Sequence, residues 1–159
     1  MVDRKDIGSW LEGPGSRSAE PAAYPGERLG MPRTGAGSMG RFGRRLIAAV
    51  LDWTLCQLVA AALFGVPLPF RGVASGSQSL VLLTIFAVEN LLLVGTLGST
   101  IGHRVVGLQV RSMDGVPPRP FQTLVRTVLL CLFLPAMFWD RDGRGLHDRS
   151  AGTLIVRTR

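Results

Sequence analysis

Two carboxyl side chains sit inside the apolar runs of this sequence: Asp52 within residues 46–66 and Glu89 within residues 80–99. A carboxyl group in a bilayer core costs roughly 3 kcal/mol on insertion scales, so an acidic residue kept there points to a polar path or a helix contact. On a helix, Arg45 would lie two turns before Asp52 on the same face, with Ala48 and Ala49 between them. Small residues there would admit a neighbouring helix closely. Glu89 falls near the middle of its run, and the amide of Asn90 beside it is able to hydrogen-bond to another helix. Arg126, at the mouth of a third apolar stretch, is the natural partner for one carboxylate. If Arg45 or Arg126 pairs with Asp52, the pair fixes helix packing. A Glu89 without a cation beside it could exchange a proton for a cation. Asp52, Glu89, Asn90 and Arg126 therefore outline either an ion or proton path or a clamp between helices.

The elements that must position these groups are legible from hydropathy. Residues 46–66 would extend about 31 Å as a helix, which matches a bilayer core. Pro67 and Pro69 end that run, the connection to Gln78 carries only Arg71, and residues 80–99 return. A third stretch, 121–139, is interrupted by Arg126 and Pro135; its unbroken part is too short to span, which favours a re-entrant or kinked helix. The expected fold is all-α and membrane-integral, with two spanning helices, a short third one and a small β-ribbon. The ribbon follows from the alternation in Val106-Gly107-Leu108-Gln109-Val110-Arg111 and the β-prone run Thr153-Leu154-Ile155-Val156-Arg157. Two strands alone are marginal and need the helices or headgroups behind them.

The formal net charge of +7 is carried by 17 arginines and one lysine that flank the apolar runs. This pattern fits positive-inside topology and contact with anionic lipid headgroups. No zinc-finger spacing or aromatic-plus-basic motif accompanies the arginines, so nucleic acid is not an expected partner. The charge bias places the N-terminus in the cytoplasm, and Arg141, Arg144, Arg149, Arg157 and Arg159 place the C-terminus there as well. The 46–66 run begins too far along the chain for a cleaved signal sequence and is expected to be an uncleaved anchor. Residues 1–40, where Gly and Pro take 12 positions, read as a disordered tail whose one apolar cluster is Trp10-Leu11. Residues 41–159 form the membrane domain.

Enzymatic chemistry has little to stand on. His147-Asp148 lies in a charge-dense stretch, Asp140 to Arg149, better explained by mutual salt bridging and headgroup contact. Cys56 and Cys131 lie in apolar runs without metal-ligand spacing, and Gly95, Gly98 and Gly102 lack the context of a phosphate loop. No catalytic residue, metal or cofactor is expected.

Three segments carry a family resemblance. Arg45-Leu46-Ile47-Ala48-Ala49-Val50-Leu51-Asp52 resembles the opening of the RDD family of small bacterial membrane proteins. Thr100-Ile101-Gly102-His103-Arg104-Val105-Val106-Gly107-Leu108-Gln109-Val110 resembles its segment after the second helix, and Leu146-His147-Asp148-Arg149-Ser150-Ala151-Gly152-Thr153 its closing motif. The resemblance covers about residues 40–157 and implies that Arg45, Asp52 and Asp148 are the signature residues. His103 stands where the family usually has Lys or Arg, which makes a fixed charge titratable. The resemblance implies a bacterial plasma-membrane domain, with transport as the usual suggestion and cation/proton antiport in some members. With two or three helices per chain, transport requires a homo-oligomer or a larger membrane complex. The alternative is a non-catalytic assembly protein that recruits a partner through residues 1–40.

Overall fold

The computed structural model describes residues 23–69, 71–132 and 144–159. Helix α1 spans Phe42–Phe64 and helix α2 spans Gly76–Leu97. Both are long and apolar enough to cross a membrane. Their burial pattern is that of a membrane pair. On α1 the buried residues are Ala48, Asp52, Cys56 and Ala60, one small or polar side chain every fourth position. The large apolar side chains, such as Ile47, Val50, Leu63, Leu80 and Leu92, face outward and are half exposed or more. A water-soluble helix pair would bury the large residues and expose the polar ones. Trp53 of α1 meets Phe86 of α2 edge-on, with ring centroids 6.0 Å apart.

Local chemistry sets the ends of these helices. Helix α1 stops at Gly65, whose φ of 65° lets its N–H turn back to the carbonyls of Ala60 and Ala61. Helix α2 opens on a reciprocal capping box: Gln78 N–H donates to Ser75 Oγ, and Ser75 N–H donates to Gln78 Oε1 at 2.9 Å. Ser75→Ala is expected to lower stability by about 1 kcal/mol, read as a small drop in the thermal midpoint of the purified protein in detergent.

After Gly98 the chain enters the short helix α3, Ile101–Val105, capped by the Thr100 hydroxyl, which accepts from His103 N–H at 3.2 Å. Strand β1, Leu108–Ser112, pairs antiparallel with β2, Thr153–Arg157, with Val110 opposite Ile155. The ribbon has the backing it needs. Leu108, Val110 and Ile155 are packed against Ala48 of α1 and Val94 of α2. Val110 N–H also donates to the Gly98 carbonyl at 2.7 Å.

Part of the stretch expected to be a solvated tail joins this ribbon. Met39 bridges to Val156, Gly40 N–H donates to the Ile155 carbonyl, and Gly37 N–H to that of Arg157. The chain entering α1 and the C-terminal strand therefore lie on one side of the helix pair. Trp10-Leu11 lies outside the described residues.

The third apolar stretch is helical over Pro120–Cys131, named α4, with proline at its first turn where the missing N–H costs nothing. Its second half lies outside the described residues. Helix α5, Leu146–Ala151, leads back into β2. Both ends adjoin the ribbon: Gln122 Nε2, in the first turn of α4, donates to Ser112 Oγ and to the Gly152 carbonyl, each at 3.3 Å. This segment therefore leaves and returns on the same side of the α1–α2 pair.

Candidate functional site

The polar residues of α1 and α2 separate into two neighbouring clusters. In the first, both oxygens of Asp52 are occupied by donors from the start of α3. Gly102 N–H donates to Oδ1 at 2.6 Å, and Thr100 Oγ1 donates to Oδ2 at 2.5 Å. Thr100 Oγ1 also contacts His103 Nδ1, which stands 3.8 Å from Asp52 Oδ2. Burial pushes the His103 imidazole down to about 3, reinforced by the Arg126 and Arg45 guanidiniums and by His147, and opposed by Asp148. The ring is neutral at physiological pH. Its contact with Asp52 is polar, not an ion pair.

Glu89 lies beside this cluster on α2. Cys56 Sγ donates to its Oε2 at 3.0 Å, while Oε1 is buried without a hydrogen-bond donor. Its carboxyl is close enough to that of Asp52 for the two to share a hydrogen bond when one carries a proton. Among the described residues no guanidinium reaches Glu89. Asn90 is buried, but its amide donates to the Phe86 carbonyl of its own helix at 3.1 Å and not to a second helix.

The second cluster centres on Asp148, which is fully buried. Arg126 Nε donates to Oδ1 at 2.8 Å, Thr153 Oγ1 to the same oxygen at 3.2 Å, and Arg45 Nη1 lies 3.6 Å from Oδ2. His147 Nε2 is 3.5 Å from Oδ2. Burial alone would raise the Asp148 carboxyl, but Arg126, His147 and Arg45 together hold it well below the usual carboxylate range. Arg45 also donates from Nε to the Gly40 carbonyl at 2.8 Å, which ties the start of α1 to the residues that pair with β2.

The expected pairing of Arg45 or Arg126 with Asp52 is thereby corrected: both guanidiniums go to Asp148. Seven residues of helix separate Arg45 from Asp52 by about 10.5 Å. Helical side chains also lean toward the N-terminus, so Arg45 points to the ribbon and away from Asp52. Arg126 reaches Asp148 because α4 and α5 run back to the same place. Asp148 is not a headgroup contact at the surface; it is the most enclosed charge among the described residues. Thr100 and Gly102 were not among the expected site residues. Their signal was a hydroxyl and a glycine two positions apart at a helix start.

A family model described as RDD family matches residues 39–152. The chain belongs to the RDD family. No curated protein and no solved structure matches it. Of the three residues that the resemblance marks as the RDD signature, Arg45 and Asp148 share one ion cluster. Asp52 anchors α3 in the other. Among the described residues of this RDD domain, no group of three His, Cys, Asp or Glu side chains is placed to hold a metal ion.

Proposed function

We propose that this RDD protein is a non-enzymatic membrane protein that exchanges a proton for a small cation at the Asp52–Glu89 pair. The observation that carries the reading is the placement of Glu89. It faces α1 from within the second candidate span, beside a second carboxyl, with one buried oxygen lacking a donor and, among the described residues, no guanidinium opposite it. Two carboxyls that close in a low-dielectric setting cannot both stay ionised unaided, so a proton or a cation must accompany them. Exchange of one for the other is the elementary step of coupled transport.

Two helices supply only one wall of a path, and the wide apolar faces of α1 and α2 leave room for more chains. The working unit is therefore a homo-oligomer or a larger membrane complex. Arg41 and Arg44 at the start of α1 support a topology with the ribbon side, and with it both ends of the domain, at the anionic cytoplasmic leaflet of a bacterial plasma membrane.

The test is cation-induced collapse of a pH gradient in inverted vesicles from a host without its own antiporters, using sodium, potassium and lithium. Wild type is expected to show flux that Glu89→Gln, correctly inserted, loses. Wild-type flux no greater than that of empty vesicles, or an unchanged Glu89→Gln, overturns the reading. The second reading, a membrane assembly protein, draws on the closed hydrogen bonding of Asp52, which suits a clamp. Its signature would be stoichiometric co-purification with a membrane complex, lost on deletion of residues 1–40.

A further inference from the structure

We propose that Thr100 and His103 form a hydroxyl–imidazole relay that passes protons between the ribbon-side surface and the Asp52–Glu89 pair. The proposal rests on the reading that this pair exchanges protons. Its own support is a hydrogen-bonded row from one element to the next: Glu89 beside Asp52, Asp52 Oδ2 on Thr100 Oγ1, and Thr100 Oγ1 on His103 Nδ1. Thr100, 1% exposed, is the most enclosed member of that row, between Asp52 at 3% and His103 at 8%, while Glu89 at the far end is partly exposed. His103 belongs to α3, which leads into β1, so the imidazole is the member of the row on the ribbon side, where a proton enters.

The donor inventory gives the row a direction. A threonine hydroxyl has one hydrogen and two lone pairs. Thr100 gives its hydrogen to Asp52 Oδ2, which cannot donate while ionised. The contact with His103 must then run from Nδ1–H to Oγ1, and Nε2 is left as the bare acceptor. A proton arriving from water on Nε2 is matched by the Nδ1 proton moving to Thr100 Oγ1. The hydroxyl's original proton moves in the same event to Asp52 Oδ2. One proton enters, one arrives on Asp52, and Thr100 and His103 both end neutral, the imidazole now in its other tautomer. Asp52 then shares that proton with Glu89, and the reverse order releases it.

Such a relay needs a ring that does not hold a permanent charge. His103 meets that condition in its surroundings: Arg45 and Asp52 of α1, Arg126 of α4, and His147 and Asp148 of α5 face it, and burial with the two guanidiniums and His147 keeps it neutral against the pull of Asp148. A lysine or arginine in its place would hold its protons fixed. The same Thr100 hydroxyl caps α3, so a test must separate a relay from a purely structural cap.

The protein would be reconstituted in vesicles of phosphatidylethanolamine and phosphatidylglycerol and subjected to a pH jump. Proton uptake by the pair would be followed through the infrared carbonyl stretch of protonated carboxyl groups, with Glu89→Gln assigning the band. His103→Gln and Thr100→Val are each expected to slow uptake by roughly 100-fold. Added imidazole should restore part of the rate in His103→Gln, and Thr100→Ser should restore what Thr100→Val loses. Structural damage alone would not respond to imidazole. Uptake in His103→Gln at the wild-type rate overturns the relay, as does a slowed His103→Gln that imidazole leaves unchanged. A wild-type pair with no titrating band overturns the relay and the exchange reading together. Normal relay kinetics without cation flux overturn only the transport reading.

Discussion

Asp148→Ala is expected to destabilise the domain by about 3–5 kcal/mol, enough to unfold much of a population of ordinary stability. The cost does not come from the contacts of the carboxylate alone. Arg126 is 2% exposed and the Arg45 side chain 10%, so removing Asp148 leaves one buried and one largely buried guanidinium without their counter-charge. Thr153 Oγ1 loses an acceptor as well. Three attachments fail together, because Asp148 joins α5 to α4 through Arg126, to α1 through Arg45, and to β2 through Thr153. Asp148→Asn should keep most of that cost: its amide oxygen can still accept from Arg126 Nε, but the counter-charge is gone and an NH2 donor faces Arg45.

The same cluster fixes a pH dependence. Asp148 is held below its unfolded-state value, so the unfolded chain binds the extra proton first as pH falls. The stabilisation is fully present above the ordinary carboxylate range near pH 4, and it is lost as pH falls through the lower folded value. The gap in thermal midpoint between wild type and Asp148→Ala, measured in detergent, should be widest near neutral pH and narrow in acid. A midpoint for Asp148→Ala equal to wild type at about pH 7 would remove Asp148 from the fold's foundations.

Why this cluster escaped the sequence while the helices did not is a matter of range. The apolar runs that became α1 and α2 are local signals, as are Pro67 and Pro69 after the first; the glycine caps at Gly65 and Gly98 that stop the helices were read only from the structure. The ribbon was legible too, because alternation in 106–111 and 153–157 is local on each strand, and only the pairing had to be inferred. Arg45 and Arg126 were visible as candidate partners for a carboxylate; which carboxylate was not. Both of their contacts with Asp148 span 22 or more positions and depend on α4 and α5 returning to the ribbon. Asp148 also stands in a run dense with charge, which reads as solvated because charge density along a chain carries no record of enclosure. Residues 37–40 gave no strand signal, since glycine-rich sequence has no alternation to detect, yet their backbone groups extend the sheet at β2.

Gly102 is the second position where one substitution should have a large effect. Helix α3 lies against α1 so closely that a Cβ on Gly102 would run into the Ala48 carbonyl oxygen and come within 2.8 Å of Asp52 Oδ1 and 2.9 Å of its Cγ. The Ala48 oxygen is helix backbone and cannot step aside, so α3 would have to withdraw. Withdrawal breaks both bonds to Asp52, from Gly102 N–H and from Thr100 Oγ1, and leaves a buried carboxylate with its donors out of reach. Overpacking and the unmet carboxylate together put the expected loss for Gly102→Ala at about 2–5 kcal/mol. A double-mutant cycle separates the two parts. In an Asp52→Ala background the clash with Ala48 remains but the carboxylate does not, so Gly102→Ala should cost less there by about 1 kcal/mol or more. Strict additivity would mean that Gly102 is small only to fit Ala48. A positive coupling would mean that glycine is required for Asp52 as well, whose carboxylate both takes the Gly102 N–H and occupies the space a Cβ would enter.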